Sequence, residues 1–396
     1  MKRKLTIQEK LLAFSKKTKK KNTLYTLTAL LVISIALICF SLFERTKVTI
    51  SVPTNTEAIF TMTMVGDVMM GRNIKEISKR YGPTYVFRYT LPYFENSDYV
   101  SGNFENPVLL KAKEQYEKAE KYIHLETQRQ AVAATKEAGF TILNLANNHM
   151  MDYGEKGLRD TLQVFKEEKL DYIGAGGDLT DAKNIVYQDL NGVRVASLGF
   201  TDAYVDGFIA TKEQAGVLNM NPDIFFELIR TAKKSEEGNA DLVIVNAHWG
   251  DEYDTEANPR QKALAKAMAD AGADIIIGHH PHVLQSFEVY KNSIIFYSLG
   301  NFIFDQGWTR TKDSALVQYH LQNNGLAKIE IVPLKIKEGT PRPVSGWWDT
   351  ERINRQLTKK TKHESIWNEK EGRIEITVNH QQVLNHKNER VNQSQR

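Results

Sequence analysis

Ten histidines occur in 396 residues, and three of them, His279, His280 and His282, crowd into the stretch IIIGHHPHVLQ (275–285). An imidazole can ligate a transition metal or pass a proton to a leaving group. Four other strand-like segments end in comparable side chains. GDVMMGR brings Asp67 and Arg72, GNFENP brings Asn103 and Glu105, NNHMMDYG brings Asn147, Asn148, His149 and Asp152, and AHWGDEYD brings His248, Asp251, Glu252 and Asp254. A dinuclear centre needs hard oxygen donors, often shared, with imidazoles to complete each shell. Any one of these histidines alone reads as a hydrogen-bonded residue at a strand end. Five segments ending this way together argue for a shared metal site. Two of the three crowded imidazoles would then reach a common ion, and the third would support its neighbours.

The elements that must position these groups alternate along the chain. Strand-like FTMTMV (60–65) precedes a helix from Asn73, and SDYVSGN (97–103) is a second strand. A Lys/Glu-rich insertion follows around residues 111–124, in which YEKAEK (116–121) reads as a solvated face. Helical spacing over 127–139 stops at Gly139, FTILNLA (140–146) is strand, and 154–169 is helix. Asp152 reads as an orienting partner for His149 or a cap for that helix. Asn191-Gly192 between two β runs predicts a hairpin. Strand 241–248, helix 259–272, strand ADIIIG and a series of antiparallel strands to Pro333 complete the pattern. Crossovers mixed with hairpins predict an α/β sandwich, two packed sheets with helices outside, whose strand ends face a functional crevice. Beyond Pro333 the chain is polar and Lys-rich, with one strand-like piece at 373–378.

Leu24–Phe43 is uncharged and long enough to cross a membrane as a helix. A cleaved signal peptide would have a shorter apolar core and a small-residue cleavage site, which FSLFERT does not offer. Residues 1–22 carry nine Lys or Arg and one Glu, so they contribute +8 to a total of +4 and leave −4 for the remainder. Positive residues stay inside, placing the N-terminus in the cytoplasm and the main domain outside the cell. The basic tail suits anionic headgroups, and the outer part carries no electrostatic footprint for nucleic acid. Cys39, the lone cysteine, lies in the apolar span, so no disulfide can form in the outer domain. The expected organisation is a basic tail (1–22), an anchor (23–43), a linker (44–60), an outer domain (61–335) and a polar extension (336–396).

The ordered series GDVMMGR, GNFENP, NLANNHMMDYG, HWGDEYD, GHHPHVLQ and FYSLGNFIFDQGW resembles the CapA/PgsA family of bacterial poly-γ-glutamate capsule proteins. The resemblance covers nearly the whole chain. It implies a four-layer α/β/β/α sandwich similar to calcineurin-like metallophosphoesterases, which hold two metal ions. Carried onto this sequence, it implies Asp67, Asn148, His248, His280 and His282 as metal ligands and His149 as the group acting on a leaving group. Position 69 is Met where the phosphoesterase pattern has His. The bridging position offers Glu105 or Asn103, of which Glu105 is the chosen ligand, and His279 could stand in for His280. One or two divalent ions are therefore the expected cofactors. Arg310, in WTRTKDSALVQ, and Arg72 are candidates for contact with an anionic polymer or phosphate.

No G-x-x-x-x-G-K-[ST] loop or dinucleotide fingerprint is present, so this chain cannot by itself activate a carboxylate with ATP. The resemblance implies an outward-facing membrane subunit of a poly-γ-glutamate synthesis and export complex. A polyglutamate ligase, a multi-span membrane protein and the polymer would be its partners. The competing reading is a metal-dependent hydrolase of a phosphoester or amide bond in the cell envelope.

Overall fold

The computed structural model describes residues 6–44, 50, 52, 57–234, 238–361 and 366–394, in two compact units, Met1–Thr49 and Ile50–Arg396. Most of the expected linker 44–60 lies outside the described residues. In the first unit, the Thr6 hydroxyl accepts from the Glu9 amide while the Glu9 carboxylate accepts from the Thr6 amide. This capping box starts the helix Ile7–Thr18. A 3-10 turn, Lys19–Lys21, leads into the helix Asn22–Glu44. Its window Asn22–Cys39 is apolar and wholly uncovered. Hydrocarbon, and not water, is the solvent such a helix matches.

The second unit is built on two large sheets. One runs, edge to edge, through Trp367–Lys370, Arg373–Asn379, Leu326–Lys337, Asp313–Gln322, Ala58–Val68, Tyr99–Phe104, Ile142–Asn144 and Asp171–Ile173. Asn301–Ile303 pairs with the end of Ala58–Val68, and Thr340–Pro343 with Leu326–Lys337. The other sheet runs through Phe287–Tyr290, Ser293–Phe296, Ile275–His279, Leu242–His248, Val193–Thr201 and Val186–Leu190. The hairpin at Asn191-Gly192 is present, both residues taking the positive φ that a tight two-residue turn demands.

Alternation along each strand sorts side chains into layers. Met62, Met64 and Tyr99 meet Ile244, Ile275 and Ile277 between the sheets. Their neighbours point the other way: Val65, Val100 and Leu143 pack under the helices Arg129–Glu137 and Gly154–Glu168. Val243, Val245 and Ile276 pack under Pro222–Lys234 and Pro259–Ala271. With both faces of each sheet buried, its strands read as continuous apolar runs. The result is a four-layer α/β/β/α sandwich. The C-terminal stretch adds Trp367–Lys370 and Arg373–Asn379 to the first sheet, and the helix Trp347–Thr358 packs Ile353 and Leu357 into the layer between sheets.

Candidate metal centre

Strand register brings the donors together. In the first sheet Asp67 lies opposite Asn103 on one side and Asn301 on the other, and Asn103 lies opposite Asn144. In the second, His248 lies opposite His279. Pairing of Ala58–Val68 with its neighbours shifts at Asp67. Such an irregularity re-aims a side chain. Gly66 permits the approach, since a Cβ there would lie 1.9 Å from the Gly300 carbonyl oxygen. Gly278 does the same for the histidine segment, where a Cβ would lie 1.9 Å from the Tyr297 oxygen.

Two sets of side chains converge: Glu105 with His248 and His280, and Asp67 with Glu105 and His282, each set offering ligand atoms within 4.8 Å of one another. All five residues are buried. His282 Nε2 is 3.7 Å from Glu105 Oε1, and His282 Nδ1 is 3.4 Å from Asp67 Oδ2 and 2.9 Å from Asn301 Oδ1. His279 Nδ1 stands 3.5 Å from Asp67 Oδ1, and its Nε2 meets Asn246 Oδ1 at 3.1 Å. Asn148 Oδ1 is 3.0 Å from His248 Nε2. Asn103 is the hub. Its amide nitrogen lies 2.9 Å from Asp67 Oδ1 and 3.2 Å from His248 Nδ1, while its oxygen accepts from Asn144 and Asn147.

Burial and mutual charge set the protonation states. Burial opposes ionisation of Asp67, but hydrogen bonds from His279 and His282 prevail and hold its carboxyl well below the usual range. Burial and the nearby Asp67 charge push Glu105 well above it. Burial disfavours a His282 cation, yet Glu105 and Asp67 raise that imidazole to about 9. Burial and the His282 charge lower His280 to about 3, and burial keeps His248 neutral. Glu105 Oε1 and His280 Nδ1 are buried without a hydrogen-bond partner among the described residues, and His279 Nδ1 has only the Asp67 carboxylate, at 3.5 Å. Unpaired buried donors and acceptors of this kind are costly. Two carboxyl groups, the neutral imidazoles of His248 and His280, and orphaned ligand atoms fit a divalent cation.

His149 sits at the margin. Its Nδ1 is 2.7 Å from Asp152 Oδ2, which also accepts from the Leu125 amide. Asp152 therefore orients His149 and makes no side-chain cap for the helix at Gly154. Lys121 Nζ lies 2.7 Å from Asp152 Oδ1 and donates to the Asn148 carbonyl oxygen at 2.8 Å. The solvated face expected for 116–121 holds at Glu117, Lys118 and Glu120, which are exposed, and is corrected at its two ends: Tyr116 is buried and Lys121 is pinned against the pocket wall. Residue spacing had hidden it, because an alternating Lys/Glu run looks the same whichever member turns inward.

Arg72 and Arg310 lie outside this cluster. Arg72 pairs with Asp305, and Arg310 is exposed at the start of the turn Arg310–Lys312. Asn144, Asn246, Asn301 and Lys121 escaped sequence reading. So did Tyr253 and Trp308, whose rings stack at 5.2 Å beside His282. Register sets Asn301 opposite Asp67 and Asn144 opposite Asn103, while Asn246 reaches His279 through its side chain, and each of these placements requires the sheet order.

A four-layer α/β/β/α sandwich with a buried carboxylate–imidazole pocket at converging strand ends is the class defined by fold and site. Residues 61–306 match the family model described as bacterial capsule synthesis protein PGA_cap, and the chain belongs to that family. It is 62% identical to the capsule biosynthesis protein CapA of Bacillus anthracis, over 97% of this chain and 93% of that protein. It is 46% identical to the PGA biosynthesis protein CapA of Bacillus subtilis, over 98% and 100%. Among solved structures, the calcineurin-like phosphoesterase YfkN of Bacillus subtilis aligns with a TM-score of 0.38 at 15% identity, over 72% of this chain and 88% of that one.

Proposed function

We propose that this chain is the membrane-anchored, outward-facing subunit of a machinery that makes and exports a poly-γ-glutamate capsule, with one or two divalent cations in its pocket. The observation that carries this reading is family membership, with relatives named for capsule and PGA biosynthesis aligned over almost the entire chain. The uncovered apolar helix supports an anchor, and the +8 balance of residues 1–22 supports a cytoplasmic N-terminus. Polymer synthesis needs ATP-driven carboxylate activation, which this chain has no loop to perform. A nucleotide-binding ligase and a multi-span membrane protein complete the complex. Asp67, Glu105, Asn148, His248, His280 and His282 are the residues that would hold the cations, with His279 and Asn103 in support. Deleting the gene should abolish capsule, and the wild-type chain should restore it. Persistence of capsule in the deletion strain refutes the reading. Protease shaving of intact cells that spares residues beyond 57 refutes the topology.

The pairing of His149 with Asp152 beside the pocket favours a second reading, a hydrolase acting on a phosphoester or amide bond. When bound, a divalent cation would supply Lewis acidity to such a group. The chain's own part is proton handling: with Nδ1–H donated to Asp152, the bare Nε2 of the neutral ring would take a proton from the attacking water, and the imidazolium so formed would pass it to a leaving group. Full capsule from His149→Ala excludes a catalytic role in capsule formation, whereas loss of capsule with metal content retained supports it.

A further inference from the structure

Three loops that wall the pocket continue into an open groove. Tyr253 flanks His282, and Thr255 lines the groove; His282 is followed by Val283 and Leu284 on the groove floor; Trp308 stacks on Tyr253, and Arg310 stands at the groove edge. The far wall is the helix Trp347–Thr358, fastened by Gln356, whose amide donates to the carbonyl oxygens of Thr255 and Leu284 at 2.7 and 3.0 Å. The groove encloses about 540 Å³.

Its chemistry is specific. Four cations, Arg310, Arg352, Arg355 and Lys359, line it against two carboxylates, Asp313 and Glu351. Arg352 grips Asp313 through two contacts at 2.6 and 2.8 Å and also meets Asp349 at 2.6 Å, and Arg355 meets Glu351 at 3.1 Å. Lys359 pairs with Glu256, outside the groove. Among the described residues Arg310 has no carboxylate partner. Trp347 and Trp348 lie two-thirds exposed, their rings edge to face at 4.5 Å. Two uncovered indoles beside a guanidinium that has no carboxylate are a costly surface unless something with flat, partly apolar units and negative charge lies on it.

We infer that this groove binds an extended chain of γ-linked glutamyl residues that runs from it across the metal pocket. The free carboxylates meet Arg310 and Arg355, while the methylenes and amide planes lie on Trp347 and Trp348. The inference rests on the capsule reading for the identity of the polymer, and on the groove alone for its position.

The test uses the full chain in detergent and a fluorescein-labelled γ-linked glutamate decamer, followed by anisotropy. We expect binding that weakens with salt, quenches tryptophan emission and persists, with lower affinity, in chelator. Arg310→Gln with Arg355→Gln, and separately Trp347→Ala with Trp348→Ala, should each weaken it by about tenfold or more. All four side chains are on the surface, so folding is retained. Equal binding by wild-type and both paired variants overturns the groove, as does absence of binding by the wild-type chain. Capsule restoration by the non-binding chain would leave the subunit reading intact. Groove-dependent binding by a chain dispensable for capsule would do the reverse.

Discussion

The pocket and the groove share three loops but are built on opposite terms. In the pocket the carboxylate and imidazole donors are buried, each leans on another, and an amide hub fixes their order. In the groove the working side chains stand in water, and only Arg352 is tied down by two carboxylates. Buried interacting charges fail together when one is removed, whereas exposed ones are nearly independent.

The sharpest way to break that contrast is Asp67→Ala. It removes the partner of His279 and His282 inside the sandwich, which should cost roughly 3–5 kcal/mol and abolish bound metal by elemental analysis. Unchanged metal content would end the claim that the pocket acts as a unit. A pH comparison follows. In metal-free protein His282 holds its proton up to about 9 against an ordinary 6.5. That cation's contribution, about 3 kcal/mol, is complete below the ordinary value and vanishes as pH rises through the shifted one. With a divalent ion bound the ring is a neutral ligand, so alkaline loss disappears and acid, whose protons compete with the ion, becomes the weakening direction. Unfolding curves with parallel pH trends in chelator and in excess metal would refute this.

Lys121→Met is expected to cost about 2 kcal/mol in denaturant unfolding, because Asp152 loses one of its partners but keeps His149 and the Leu125 amide. Bound metal should be unaffected, and its loss would place Lys121 among the pocket's interdependent groups. The smallest effect belongs to the groove: Trp347→Ala should move stability by no more than about 0.5 kcal/mol. A larger drop would mean that this indole is packed in solution and that the groove is less open than described.

Much of the frame was readable in the chain. Strand ends at Asp67, Asn103 and His248 are marked by apolar runs that stop at polar residues, and Asn191-Gly192 announces its hairpin by turn chemistry. What stayed hidden depends on position in space. Asn144 and Asn301 matter because register sets them beside Asn103 and Asp67, and amides near strand ends are too common to stand out. Lys121 was indistinguishable from its solvated neighbours. The helix Trp347–Thr358 sits in a run rich in charge, and only its Ile353, Asn354 and Leu357 reach the interior.

His280 and His282 carry φ angles of 94° and 56° around Pro281. Left-handed backbone is uncommon away from glycine, and here it is met twice in three residues. The freedom of those two rings was surrendered when the sandwich closed, so an arriving cation would find its imidazoles already aimed and would pay little to order them. A cavity so rigid discriminates by ionic radius, and amide exchange along 278–284 should be nearly the same in the filled and the empty protein.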